Sequence, residues 1–101
     1  MKISKTIRKL NDKLVASIQT INALASEELE GFVKLDHTIQ FDLFPGSLLV
    51  SCYFESHDHL DKAMKFEKKY QKKLSILLLK HGIKLKDAKQ NLKFYVLEQS
   101  D

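Results

Sequence analysis

Between Asp58 and Gly82 the apolar residues Leu60, Ala63, Met64, Tyr70, Leu74, Leu77 and Leu78 recur at steps of three and four, with Glu67 filling the one gap. At about 100° per residue they form a single stripe, which predicts a long amphipathic helix over residues 58–82. Asp58 suits its N-cap, Asp61 favours the positive end of the helix dipole, and Gly82 suits the left-handed position that closes a helix. Opposite the stripe lie Lys62, Lys65, Lys69, Lys72 and Lys73, with Lys68 on the flank and Phe66 and Ile76 within or beside the same face. Such a helix needs a surface on which to lay its apolar side, and the rest of the chain must provide it. Glu67 breaks the stripe. It is expected to overhang the core or to pair with a lysine, the alternative being a functional buried carboxylate.

The residues before it supply two kinds of period. Ile3, Ile7, Leu10, Leu14, Ile18, Ile21 and Leu24 again advance by threes and fours, predicting a helix over 4–25 with Ser4 as its cap. Its stripe suits a core or, in a dimer, a helix–helix seam. Ser26 to Gly31 reads as a short second helix capped by Ser26 or the frayed end of the first, ended by Gly31 either way, and its acidic cluster as a solvated helix N-terminus. Over 32–43 the period becomes two. Val33, Leu35, His37, Ile39, Phe41 and Leu43 fall on one side, and Lys34, Asp36, Thr38, Gln40 and Asp42 on the other, as in a half-buried antiparallel strand. His37 on the apolar side is expected to be a hydrogen-bonded, partly buried ring. Phe44-Pro45-Gly46-Ser47 predicts a type II turn, with Pro fixing φ and Gly supplying a positive φ. Strand 48–55 is apolar on both sides and should be central in its sheet. A lysine-rich connection over 83–90 leads to a third strand, 91–97, and a polar tail.

The order is helix, strand, strand, helix, strand. It predicts one α+β domain over residues 1–101, a two-layer sandwich with a three-stranded sheet and two helices on one face. The connection through 58–82 is long enough to make a parallel pairing.

Charge is unevenly distributed. Residues 1–61 carry six Lys/Arg against nine Asp/Glu, and residues 62–101 carry eleven Lys against four Asp/Glu, so a net −3 is followed by a net +7. Of the 17 basic residues only Arg8 is arginine. Lysine is a point charge suited to diffuse attraction, whereas arginine favours bidentate readout. The composition therefore favours contact with a phosphate backbone over reading of bases. The hydrophobic fraction of 44% with a single Pro suits a folded domain. One cysteine forms no disulfide within the chain, no apolar run approaches the ~20 residues of a bilayer span, and Arg8, Lys9, Asp12 and Lys13 interrupt any signal-peptide core. A soluble cytoplasmic protein is expected.

No nucleophile elbow, glycine-rich phosphate loop or zinc-ligand spacing occurs. Cys52 reads as a small core residue. His57 and His59, with Asp58 between them, read as a polar loop and helix cap rather than a metal site. No catalytic residues, metal or cofactor are expected.

With the order of elements assembled, the chain resembles type II KH-like domains. Pro45-Gly46-Ser47-Leu48-Leu49-Val50-Ser51, followed by a basic helix and a terminal strand, resembles the C-terminal pattern of DciA-type replicative-helicase loaders. The order is also similar to that of ribosome-binding factor A. The likeness spans roughly residues 32–97 and is one of topology, so no residue role is carried over. It implies a small binding module that contacts RNA, DNA or a ribonucleoprotein. The lysine face of Lys62, Lys65, Lys69, Lys72 and Lys73 is the candidate surface, with Phe66 and Ile76 as candidate partner contacts. The other expectation is a protein-interaction or homodimerisation module using the apolar stripe of helix 4–25 together with Phe66 and Ile76.

Overall fold

The computed structural model describes residues 5–40 and 43–97, with the side chains of 5–7 excepted. Ile3, Ser4, the side chain of Ile7, Phe41, Asp42 and the tail 98–101 lie outside the described residues. The architecture is the expected α+β sandwich. Helix α1 (Lys5–Glu28) is followed by strands β1 (Phe32–Thr38) and β2 (Leu49–Phe54), helices α2 (His57–Ala63) and α3 (Glu67–Leu79), and strand β3 (Leu92–Val96). The sheet order is β1-β2-β3, antiparallel between β1 and β2 and parallel between β2 and β3. Central β2 buries Val50, Cys52 and Phe54 completely. The shortest dimension, 21 Å, is that of one sheet under one layer of helices.

The apolar stripe of α1 is occupied in this core. Leu14 and Ile21 are wholly buried, as is Ala25, and Ile18 nearly so. The helix runs on through residues 26–28, so Ser26 is not a cap; its hydroxyl donates back to the Asn22 carbonyl at 2.8 Å. Gly31 then stops the chain with φ +81°. A side chain there would also collide with the ring of His59, which lies directly over the glycine.

Four local expectations are corrected. First, the helix over 58–82 is two helices, separated by a 3₁₀ turn at Met64–Phe66. Met64, expected in the stripe, opens that turn and is 43% exposed. Second, the N-cap is Ser56 rather than Asp58: its hydroxyl accepts from the His59 N–H at 3.2 Å and also meets His59 Nδ1 at 2.8 Å. Third, β1 ends at Thr38, and a bulge between Phe32 and Lys34 shifts its phase. Phe32 therefore turns inward against Phe54, edge to face at 6.0 Å, while Val33 is 46% exposed. Fourth, the Phe44–Pro45 bond is cis and Gly46 has no positive φ, so the connection is not a type II turn. The Ser47 hydroxyl closes it by accepting from the Gln40 N–H and donating to the Gln40 carbonyl. Buried Asn91 ties it to the start of β3 by donating to the carbonyls of Pro45 and Leu48.

The C-terminal end of α3 follows expectation. Ile83 N–H donates to the Leu78 carbonyl and Gly82 N–H to that of Leu79, while Gly82 takes φ +80°. This is the Schellman closure, with Ile83 and Leu78 both buried beneath it. Residues 83–87 form an irregular connection, and Ala88–Gln90 add a second 3₁₀ turn, capped by Asp87, before β3.

Helix α3 docks on β3 through polar as well as apolar groups. Glu67 neither overhangs nor pairs with a lysine: its carboxylate accepts the backbone N–H of Phe94 at 3.0 Å. One turn later the amide of buried Gln71 donates to the Leu92 carbonyl at 2.9 Å. Position explains both. Glu67 lies four residues after Ala63 and three before Tyr70, both buried, so it must face the sheet.

Replacing Gly31 with Ala should destabilise the fold by at least ~2 kcal/mol, since positive φ and the His59 ring both oppose a side chain. A urea titration gives the value. Burial raises the Cys52 thiol to about 12 from 9.0, with the Glu67 carboxylate adding to the effect, and burial together with the Glu28 hydrogen bond raises Tyr70 above its ordinary 10.0. Both groups hold their protons more tightly folded than unfolded. Their contribution is therefore complete below about pH 9 and falls as pH rises through that range, by up to ~1.4 kcal/mol per pH unit for each group titrating. Cys52→Ala should lower the slope of stability against pH between 9 and 12 by about one proton, measured by denaturant unfolding at each pH.

Candidate nucleic-acid interface

The expected site residues line two neighbouring hollows on the α1 side, both bordered by Glu28. Lys62, Lys65 and Phe66 border the first, opposite Glu28 and Glu30 of the α1 end. Lys69, Lys72, Lys73 and Ile76 surround the second, a cleft of about 420 Å³ between α3 and α1 whose floor includes Leu24 and the ring of Tyr70. Ile76 is 44% exposed at its rim.

Phe66, a candidate partner contact, is not a free ring. It is half-buried against the core, three residues after Ala63 and four before Tyr70, and so shares their side of the helix. Lys65 and Lys69 place their ammonium groups over its ring at 5.4 and 5.8 Å from the centroid. Phe66 thus positions two lysines and is shielded by them.

Lys69 is also engaged by charge. Its Nζ lies 3.2 Å from Glu28 Oε1, the same oxygen that accepts the Tyr70 hydroxyl at 2.5 Å. These two donors, the Tyr70 hydroxyl first, hold the Glu28 carboxyl below its ordinary value of 4.5. The acidic end of α1, expected to be only solvated, therefore neutralises part of the lysine face. Lys62, Lys65, Lys72 and Lys73 remain exposed. Among the described residues the ion pairs are Lys69–Glu28 and Lys34–Asp36, and none of these four lysines takes part in one.

A second basic cluster was not singled out by the helix pattern. Lys68 of α3, Lys89 of the second 3₁₀ turn and Lys93 of β3 converge on a hollow of about 380 Å³ beside Glu67 and Gln71. These lysines come from separate elements, so no spacing within one element joins them. The parallel position of β3 beside β2 does. The alternation Leu92, Lys93, Phe94, Tyr95 was the available signal for Lys93, which must point away from the buried Leu92 and Phe94.

His37 is half-buried, and His59 is held by Ser56 and packed over Gly31. No group of three or more His, Cys, Asp or Glu is arranged to hold a metal among the described residues. No described helix is long and apolar enough to cross a membrane. Compared with known proteins, the chain matches no family model, no curated protein and no solved structure.

Because the Tyr70 hydroxyl is the larger cause of the Glu28 shift, Tyr70→Phe should return the Glu28 titration toward 4.5 by more than Lys69→Met does. Carboxyl chemical shifts followed by NMR from neutral to acid pH would show it. The sign follows from the lowered value: Glu28 supports the α1–α3 contact at neutral pH and loses that role as pH falls below about 4.5.

Proposed function

We propose that the chain is a small non-enzymatic binding module that takes the phosphate backbone of RNA, DNA or a ribonucleoprotein on its lysine surface. One observation carries this reading. Lys62, Lys65, Lys68, Lys72, Lys73, Lys89 and Lys93 are all exposed and, among the described residues, none has a carboxylate within ion-pair distance. Seven ammonium groups without an ion pair repel one another, and a polyanion relieves that repulsion while releasing its own counterions. The element order that resembles type II KH-like domains accords with the proposal at the level of topology. None of Gly31, Gly46 and Gly82 forms a Gly-x-x-Gly loop, so the lysines themselves have to make the phosphate contacts.

The second reading, a protein-interaction or homodimerisation module, is favoured by Ile76 and Leu79. These are 44% and 57% exposed and lie three residues apart on α3. It draws no support from the α1 stripe, whose described residues lie in or against the core. A sedimentation profile that stays monomeric with rising concentration would remove the homodimer form of it.

Binding to a single strand of about 20 nucleotides should weaken steeply with salt, log K falling by roughly 0.7 per phosphate neutralised for each decade of salt. Joint substitution of Lys65→Glu, Lys72→Glu and Lys73→Glu should cost at least about tenfold at low ionic strength and flatten that slope. Urea unfolding of the same variant would confirm an intact fold. Salt-independent binding, no binding at low salt, or full affinity in the triple variant would each sink the proposal.

A further inference from the structure

The helices cover one face of the sheet only, because the core is built from the inward residues of each strand. The other face carries Lys34 and Asp36 from β1, Ser51 and Tyr53 from β2, and Lys93 and Tyr95 from β3. Register sets Tyr53 directly beside Tyr95, with ring centroids 5.9 Å apart and planes inclined by 31°. Lys34 sits 5.4 Å from the Tyr53 centroid and completes a row Lys34–Tyr53–Tyr95 across all three strands. In the next row Asp36, Ser51 and Lys93 are neighbours. Tyr95 is 37% exposed, whereas Tyr70, the third tyrosine of the chain, is 1% exposed.

Rings of this kind usually serve a fold by being buried. These two do not close the core, which Phe54 and Phe94 fill from the opposite face. They form a shallow aromatic floor with a lysine at either side. Lys93 belongs both to this face and to the hollow it shares with Lys68 and Lys89, so the basic surface of α3 continues round the β3 edge onto the open sheet. At the β1 side Asp36 lies 3.5 Å from Lys34 and offsets its charge, which leaves the β3 side as the path for a phosphate backbone.

We infer that the open sheet face binds single-stranded nucleic acid by stacking unpaired bases on Tyr95 and Tyr53 while Lys93, Lys89 and Lys68 hold the backbone. This rests on the phosphate-binding reading above and deepens it, because it selects single strands over duplexes. A duplex keeps its base faces stacked internally and has none to offer a tyrosine. Stacking adds roughly 1–3 kcal/mol per base and tolerates any sequence, which matches a surface rich in lysine and poor in arginine.

The experiment compares three probes of equal length at one low ionic strength: an oligothymidylate, an abasic oligodeoxynucleotide with the same number of phosphates, and a duplex. The oligothymidylate should bind at least about tenfold tighter than the abasic strand and tighter than the duplex. Since the chain has no Trp, tyrosine fluorescence should be quenched by the oligothymidylate and not by the abasic strand. Tyr95→Leu and Tyr53→Leu should bring the two single strands to equal affinity, and Tyr95→Phe should keep the preference. Equal binding of thymidylate and abasic strands by the unsubstituted protein overturns the stacking floor while leaving the phosphate-binding reading in place. So does a thymidylate preference that survives both leucine variants, or a duplex bound as tightly as the single strand. Failure of all three probes to bind overturns both.

Discussion

The parallel pairing of β2 with β3 is the constraint on which the rest of this structure depends. Two parallel neighbours cannot be joined by a tight turn, so the chain between Phe54 and Leu92 has to return across the sheet. That return is α2 and α3, and it brings the apolar side of α3 over β3 with Tyr70, Leu74 and Leu78 buried. Helix α1 fills the remaining half of the same face. One pairing thus settles which face is covered, which is left open, and why the lysines of α3 come near those of β3.

Those lysines are displayed along α2 and α3 in two groups. Lys62 and Lys65 lie near the acidic end of α1, and Lys69, Lys72 and Lys73 surround the cleft with Leu24 and Ile76. Glu28 then acts at two places at once, taking a hydrogen bond from Tyr70 and a charge from Lys69. It fastens α1 to α3 while thinning the positive field at one end of the surface.

Much of the fold was legible from period alone. The threes and fours of α1 and the two-sided apolar run of β2 located the elements, because burial in water leaves little alternative for such patterns. What escaped has physical reasons as well. The bulge at the start of β1 exchanges Phe32 for Val33 by a shift of backbone phase that no alternation records. Pro45-Gly46 carries the residues of a type II turn, yet the peptide before the proline is cis and Gly46 has no positive φ, neither of which the residue types disclose. Glu67 looked like an error in a stripe because its partner, the Phe94 N–H, is 27 residues away. The lysine face was visible on the helix. Whether it continues through Lys89 and Lys93 was a question the sequence could raise and not answer, since that neighbourhood exists only once β3 lies beside β2.

The hydrogen bonds from Glu67 and Gln71 to the backbone of β3 have a consequence for solubility. An edge strand is a template on which another chain can add, and unprotected edges are a common start for aggregation. Here the N–H of Phe94 and the carbonyl of Leu92 are already taken by helix side chains standing where a neighbouring strand would be. The opposite edge is distorted by the bulge at β1 and carries Lys34 and Asp36. A sheet of only three strands is thereby discouraged from growing on either side.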